Sequence, residues 1–148
     1  MKLWIIYKEG VGLSMIIAEM LQDRLEDYID VFVGNAKKVD PVFLVEEKLD
    51  YLIVGDVINE KTPSSEIQNW LTKYSKVSKN KNLIVRAVSG YYVALTNGTI
   101  QPSRFTFQLR NILADNIYPP ILSLKINKAD LSLENGSLES INEFSNLF

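Results

Sequence analysis

KLWIIYKEGVGLSMIIAEML, residues 2–21, carries the reading of this chain. An apolar run, LWIIY (3–7), passes into a loop with two glycines, and a helical pattern follows at once over residues 13–27. Leu13, Ile17, Met20, Leu21 and Leu25 recur at the spacing of one helical face. A strand, a glycine turn and a helix in that order leave backbone N–H groups free at the helix start, where an anion is favoured. Glu9 stands in this loop, an acid where an anion should sit.

Outward from this unit the pattern repeats. IDVFVG (29–34), DYLIVG (50–55), NLIVRAV (82–88) and PPILSLKI (119–126) read as further strands. Asp40-Pro41 is an N-cap and first-turn pair for a short helix through VFLVEEKL. TPSSEIQNWLTKYSKV (62–77) opens on Thr62-Pro63 and spaces Ile67, Trp70, Leu71, Tyr74 and Val77 as a helix. SRFTFQLRNILADN (103–116) is expected to be helical, with Phe105, Leu109, Ile112 and Leu113 inward. GSLESINEFSNLF (136–148) reads as a last helix on Leu138, Ile141, Phe144 and Phe148, with Ser137 as its cap. YYVALTNGTI (91–100) fits either a hairpin about Asn97-Gly98 or a loop. Strands alternating with helices predict βαβ units and a doubly wound parallel sheet of five strands. Such sheets bind ligands beyond the carboxyl ends of their strands, where the strand order reverses. The segments at that end are residues 8–14, 56–62 and 89–92.

Composition narrows the chemistry. At 148 residues the chain suits one domain, 1–148. Sixteen basic against eighteen acidic residues give a formal charge of −2, which offers no reason to expect nucleic acid or an anionic membrane as partner. No apolar run approaches the roughly 18 residues of a membrane span, and LWII is too short for a signal peptide. The absence of cysteine and histidine removes disulfides, thiolate nucleophiles, imidazole bases and the usual Cys/His metal sites. The expected compartment is the cytosol.

Three segments then carry a resemblance: VFVGNAKKVDP (31–41), LDYLIVGD (49–56) and TPSSEIQNWL (62–71), with IIYKEGVGLSMIIAEML (5–21) before them. Together they resemble flavodoxins and flavodoxin-like domains over about residues 2–77. The resemblance implies a three-layer α/β/α sandwich on a five-stranded parallel sheet of order 2-1-3-4-5. It also implies FMN as cofactor, held by three loops, and a redox partner protein. The family's first loop is similar to Ser/Thr-x-Thr-Gly-x-Thr, and falls here on Glu9-Gly10-Val11-Gly12-Leu13-Ser14. Gly10, Val11, Gly12, Leu13 and Ser14 would then contact the phosphate. Gly12 and Ser14 match, whereas Glu9 and Val11 replace two hydroxyls. A carboxylate ~5 Å from a phosphate charge costs on the order of 3 kcal/mol at an effective dielectric near 20. Glu9 could itself satisfy the amides of residues 11–14 as a built-in anion. In the second loop the resemblance assigns Asp56, Val57, Ile58 and Asn59 to the ring. The family commonly has Ser-Pro and an aromatic there, and this run has no aromatic to stack. In the third, Ser89, Gly90, Tyr91 and Tyr92 would flank the ring, one tyrosine stacking on it. The alternative is that both tyrosines pack inside a hairpin.

Three functions are weighed. The first is an FMN-binding electron-transfer domain. The second is a flavin-free interaction or regulatory module on the same scaffold, toward which Glu9, Val11, Asp56 and Asn59 point. The third is a receiver-like phospho-acceptor, with Asp56 accepting the phosphoryl group beside Glu9, Ser89 and Lys125. Against the third, Lys8 stands where the usual first acid would, and no proline follows Lys125. Gly10-x-Gly12 alone marks a tight turn rather than a dinucleotide fingerprint, since the third glycine would fall on Met15.

Overall fold

A strand flanked by helices on both sides needs apolar residues at every position. Lys2–Tyr7 forms such a strand, β1, with Leu3, Ile5 and Tyr7 packed on one side and Trp4 and Ile6 on the other. The computed structural model describes residues 1–10, 12–58, 63–94, 106, 109, 110, 112, 114–127 and 132–147. After β1 come α1 (Leu13–Leu25), β2 (Asp30–Asn35), α2 (Pro41–Glu46), β3 (Tyr51–Ile58) and α3 (Ser65–Asn80). β4 (Val85–Ala94), β5 (Ala114–Ile117), β6 (Leu122–Asn127), β7 (Ser132–Leu133) and α4 (Ser137–Asn146) follow.

The sheet runs β2-β1-β3-β4-β6-β7, with β5 also on β4. β1 pairs in parallel with β2 and β3, so the strand order reverses at β1, as the 2-1-3-4-5 expectation requires. The strand number does not hold: the sheet has seven strands rather than five. Its fifth lane is shared, because β5 pairs with Val85, Ala87 and Val88 of β4, and β6 with Tyr91–Ala94. Between the two strands, Ser89 Oγ donates to the carbonyl of Pro119. β7 adds a short antiparallel pairing to β6. α1 and α4 cover one face, with Ile17, Leu21, Ile141 and Phe144 against Ile5, Ile53 and Tyr91. α2 and α3 cover the other, with Leu44, Ile67, Trp70 and Leu71 against Ile6, Val54 and Tyr92. These are the three expected layers.

Several boundaries move. β3 continues to Ile58 and β4 to Ala94, because eight consecutive residue pairs between them, Tyr51↔Ala87 through Ile58↔Ala94, extend the ladder past both apolar runs. Residues 114–116, expected to end a helix, lie in β5, since an open stretch of β4 offers them a partner and pairing overrides the local pattern. Leu109 and Ile112 are buried as expected, whereas Phe105 and Leu113 lie outside the described residues. Tyr91–Ala94 of the supposed hairpin belong to β4, and residues 95–100 lie outside the described residues. α1 turns Ser14, Ile17, Ala18, Leu21 and Leu25 inward, leaving Leu13 and Met20 at the rim. α3 is capped by Ser64 rather than started at Thr62-Pro63.

Candidate functional site

At the carboxyl end of β1 the chain crosses the mouth of the strand-order reversal. Ala36 N donates to Tyr7 O and Lys8 N to Gly55 O, both at 2.8 Å, which ties the exit of β1 to β2 and β3. The turn into α1 closes with Leu13 N on Gly10 O at 3.3 Å. Gly12 is the N-cap of α1 at φ 74°, a left-handed backbone that a Cβ disfavours, and no side chain caps the helix. Leu13 and Ser14 form its first turn. Glu9 is exposed, and its Oε1 accepts from the adjacent Gly10 amide at 3.2 Å. The carboxylate therefore engages the loop one residue short of the amides it was expected to satisfy. Val11 lies outside the described residues.

Ser14 is the informative side chain here. It is fully buried, and its Oγ has no hydrogen-bond partner among the described residues. A buried hydroxyl without a partner costs on the order of 1–3 kcal/mol, so such groups usually mark a place where a ligand or water completes the bonding.

The described residues of the other expected segments are strand, not loop. Asp56, Val57 and Ile58 are buried in the last turns of the β3 ladder, and Asn59 lies outside the described residues. The Asp56 carboxylate is committed. Its Oδ1 accepts from Val57 N at 2.9 Å and Ser64 Oγ at 2.8 Å, while Oδ2 accepts from Ser64 N at 2.8 Å. Burial pushes its pKa above the usual carboxylate value, against the lowering pull of Ser64, Val57 and the nearby Lys8. Asp56 has no exposed surface, and both of its oxygens accept hydrogen bonds within this joint. What Asp56 does is lock Ser64, the N-cap of α3, onto the end of β3. The pair Asp56/Ser64 could not be read from sequence, because neither residue is unusual until the register brings them together.

Ser89, Gly90, Tyr91 and Tyr92 are all buried within β4. Tyr91 and Tyr92 face opposite layers, neither ring with any exposed surface. Tyr91 lies across Gly55, where a Cβ would overlap its ring, and donates its hydroxyl to Ser14 O at 2.8 Å. The packing alternative thus describes both tyrosines, with the correction that they sit in a parallel strand rather than a hairpin. Tyr91 also acquires an unforeseen part: it props the first turn of α1 from below. Burial holds the Tyr91 hydroxyl well above its usual pKa, with Tyr7, Asp56 and Glu9 adding to the rise and the bond to Ser14 opposing it.

No protein-family model matches this chain, and no curated protein matches it by sequence. Solved structures do. An archaeal flavodoxin aligns over 99% of this chain and 93% of its own, at 15% identity and a TM-score of 0.71. Oxidised flavodoxin 2 from Bacillus cereus aligns over 99% and 97%, at 16% identity and a TM-score of 0.75. Rubredoxin oxygen:oxidoreductase from Desulfovibrio gigas aligns over 99% of this chain but 34% of its own, at 13% identity and a TM-score of 0.77. At these identities the likeness is one of architecture, and it is consistent along nearly the whole length: the chain has a flavodoxin-like fold.

Proposed function

We propose that this chain binds FMN at the carboxyl end of β1 and acts as an electron-transfer domain toward a redox partner protein. One observation carries the reading: α1 begins uncapped at a left-handed Gly12, with the buried Ser14 hydroxyl in its first turn lacking a partner. Free amides, a helix dipole and an unsatisfied hydroxyl together suit a phosphate oxygen. Bound FMN would supply the one- or two-electron chemistry, while the protein supplies position and electrostatics. In this arrangement Gly12 and Ser14 hold the phosphate, Tyr91 holds Ser14, and the Asp56–Ser64 lock fixes the start of α3 beside the mouth. The exposed Glu9 carboxylate weakens attraction for an anionic ligand and disfavours negative charge accumulating there.

The test is a pair of fluorescence titrations, FMN against riboflavin. FMN is expected to bind more tightly than riboflavin, and Ser14→Ala to remove most of that difference while leaving riboflavin affinity in place. Equal affinity for the two ligands, or no binding of either, overturns the reading.

The flavin-free interaction module is favoured by two other observations: Glu9 occupies the phosphate loop, and both tyrosines are consumed by the core. It is the conclusion to adopt if neither ligand binds and the chain is stable without them.

A further inference from the structure

β2 is an open edge of the sheet, and its hydrogen bonds show which backbone groups are left to pair. Asp30 N donates to Met1 O at 3.1 Å and Ala36 N to Tyr7 O at 2.8 Å, so the even-numbered residues turn their N–H groups toward β1. Alternation along the strand then turns Val31, Val33 and Asn35 outward. Asn35 O accepts from the amides of Lys38 and Val39 at 2.9 and 3.0 Å, and Val31 O from Gln22 Nε2 at 3.3 Å. A carbonyl has two lone pairs, so Val31 O keeps one. Both backbone groups of Val33, in the middle of the edge, stay open among the described residues, as do the amides of Val31 and Asn35.

Edges of this kind are usually guarded. At the far side of the sheet, β7 is guarded by having only two residues. β2 has six, contains neither proline nor lysine, and pairs with β1 in unbroken register without a bulge. Beside it, Phe32 and Phe43 remain 41% and 51% exposed, although Phe32 stacks on Trp4 with ring centroids 5.2 Å apart. A strand laid along the edge would cover that aromatic surface.

Charge selects the occupant. The amino end of β2 gathers Glu26, Asp27 and Asp30 against Arg24 and the Met1 amino group, with Lys2 paired to Glu47 and Arg86 to Asp50. Three acids against two unpaired cations leave this end negative. At the carboxyl end, Lys37 pairs with Glu66 and Lys73 with Asp40, which leaves Lys38 and a positive end. An edge negative at one end and positive at the other complements a second copy of itself running antiparallel.

A two-fold axis at Val33 meets this requirement. It lets the two copies of Val33 exchange both hydrogen bonds, and each Asn35 amide reach the other copy's Val31 O. Phe32 then lies across from the second copy's Gly34, a favourable aromatic–glycine pair, and Asp30 lies alongside the second copy's Ala36–Lys38 turn.

We infer that β2 is a homodimer interface, along which two copies of this chain pair antiparallel, centred on Val33, into one continuous sheet. The pairing does not depend on FMN.

Sedimentation of the full chain between about 1 μM and 1 mM is expected to show monomer passing to dimer and nothing larger, since a two-fold interface closes on itself. In dilute solution β2 exchanges its amides as an open edge. In concentrated solution the Val33 and Asn35 amides are expected to exchange about tenfold more slowly. Asp30→Lys and Lys38→Glu are each expected to weaken the dimer about tenfold. An equimolar mixture of the two variants is expected to restore it, because the mixed dimer again sets opposite charges together at both ends. Val33→Pro removes an outward N–H that the monomer does not use, and is expected to abolish the dimer. The exchange and mixing measurements carry the test without that variant if the proline disturbs the fold. A monomer at every concentration would overturn the interface and leave the edge to a strand of another protein. Association that leaves the Val33 and Asn35 amides unprotected, or a mixture no tighter than its components, would overturn it too.

Discussion

Gly12 holds its backbone at φ 74°, and any residue with a Cβ pays steric strain there. Gly12→Ala is expected to cost about 1–2 kcal/mol of stability, read as a lower midpoint in chemical denaturation with an unchanged slope. Gly55 answers to a different constraint, the Tyr91 ring lying on it, so Gly55→Ala should cost at least as much through overpacking and also displace Ser14. Glu9 is exposed at the same turn, and its charge acts through screened solvent. Glu9→Gln is expected to tighten FMN binding about three- to tenfold at low salt, with the gain shrinking as salt is raised. A gain that ignores salt would mean that the carboxylate acts by shape rather than by charge. At this scale the sequence was partly legible. Gly12 and Ser14 were singled out because they match the first-loop pattern of the flavodoxin resemblance. The orphaned hydroxyl and the tyrosine beneath it were not, because both depend on which way a residue of α1 and one of β4 turn in space.

The joint between β3 and α3 depends on one buried carboxylate. Asp56 accepts three hydrogen bonds, one from the adjacent Val57 N and two from Ser64 eight residues on, and Ser64 Oγ in turn accepts from Ile67 N at 3.3 Å. Burial raises the folded pKa of Asp56 above its unfolded value, so the native state binds this proton more tightly than the unfolded chain does. Its contribution to stability is therefore full below the ordinary carboxylate pKa and is lost as pH rises through the folded value. Asp56→Asn is expected to remove that part of the decline, giving a flatter stability profile above about pH 4. It should also cost about 1–3 kcal/mol at every pH, since the amide NH₂ confronts the Ser64 amide. Denaturation series at stepped pH values measure both, and an unchanged slope in the variant would show that Asp56 does not titrate in this window. Asp40 illustrates an element whose joint was legible: it accepts from Val42 N at 2.9 Å ahead of Pro41, as an N-cap before a first-turn proline should. Asp40 and its partner are two residues apart, Asp56 and Ser64 eight, and only the nearer pair leaves a local signature.

For the molecule as a whole, β1, β3 and β4 are paired on both sides and covered by helices, whereas β2 is an edge and β7 has two residues. Amide exchange is expected to be slowest in β1, β3 and β4 and distinctly faster in β2 and β7. Equal protection across the sheet would contradict the strand order. FMN at about a hundred times its dissociation constant should raise global stability by about 2.7 kcal/mol, by linkage alone. A stability that does not respond to FMN favours the flavin-free module.

The strand order 2-1-3-4-5, with its reversal at β1, was implied by the resemblance to flavodoxins; the alternation of fully apolar runs with 3.6-residue patterns was sufficient to indicate strands crossed by helices and the position of the glycine turn. These last two follow from local periodicity, because a buried strand and a half-buried helix each leave a pattern within a few residues. Tertiary structure decided the rest: that β3 and β4 extend past their apolar cores, that two short strands share the fifth lane, that Tyr91 and Tyr92 belong to the interior, and that Asp56 closes on Ser64. Each of these is a meeting between distant segments whose register is set by the packed sheet as a whole, and no short stretch of chain contains the information on which partner it will find.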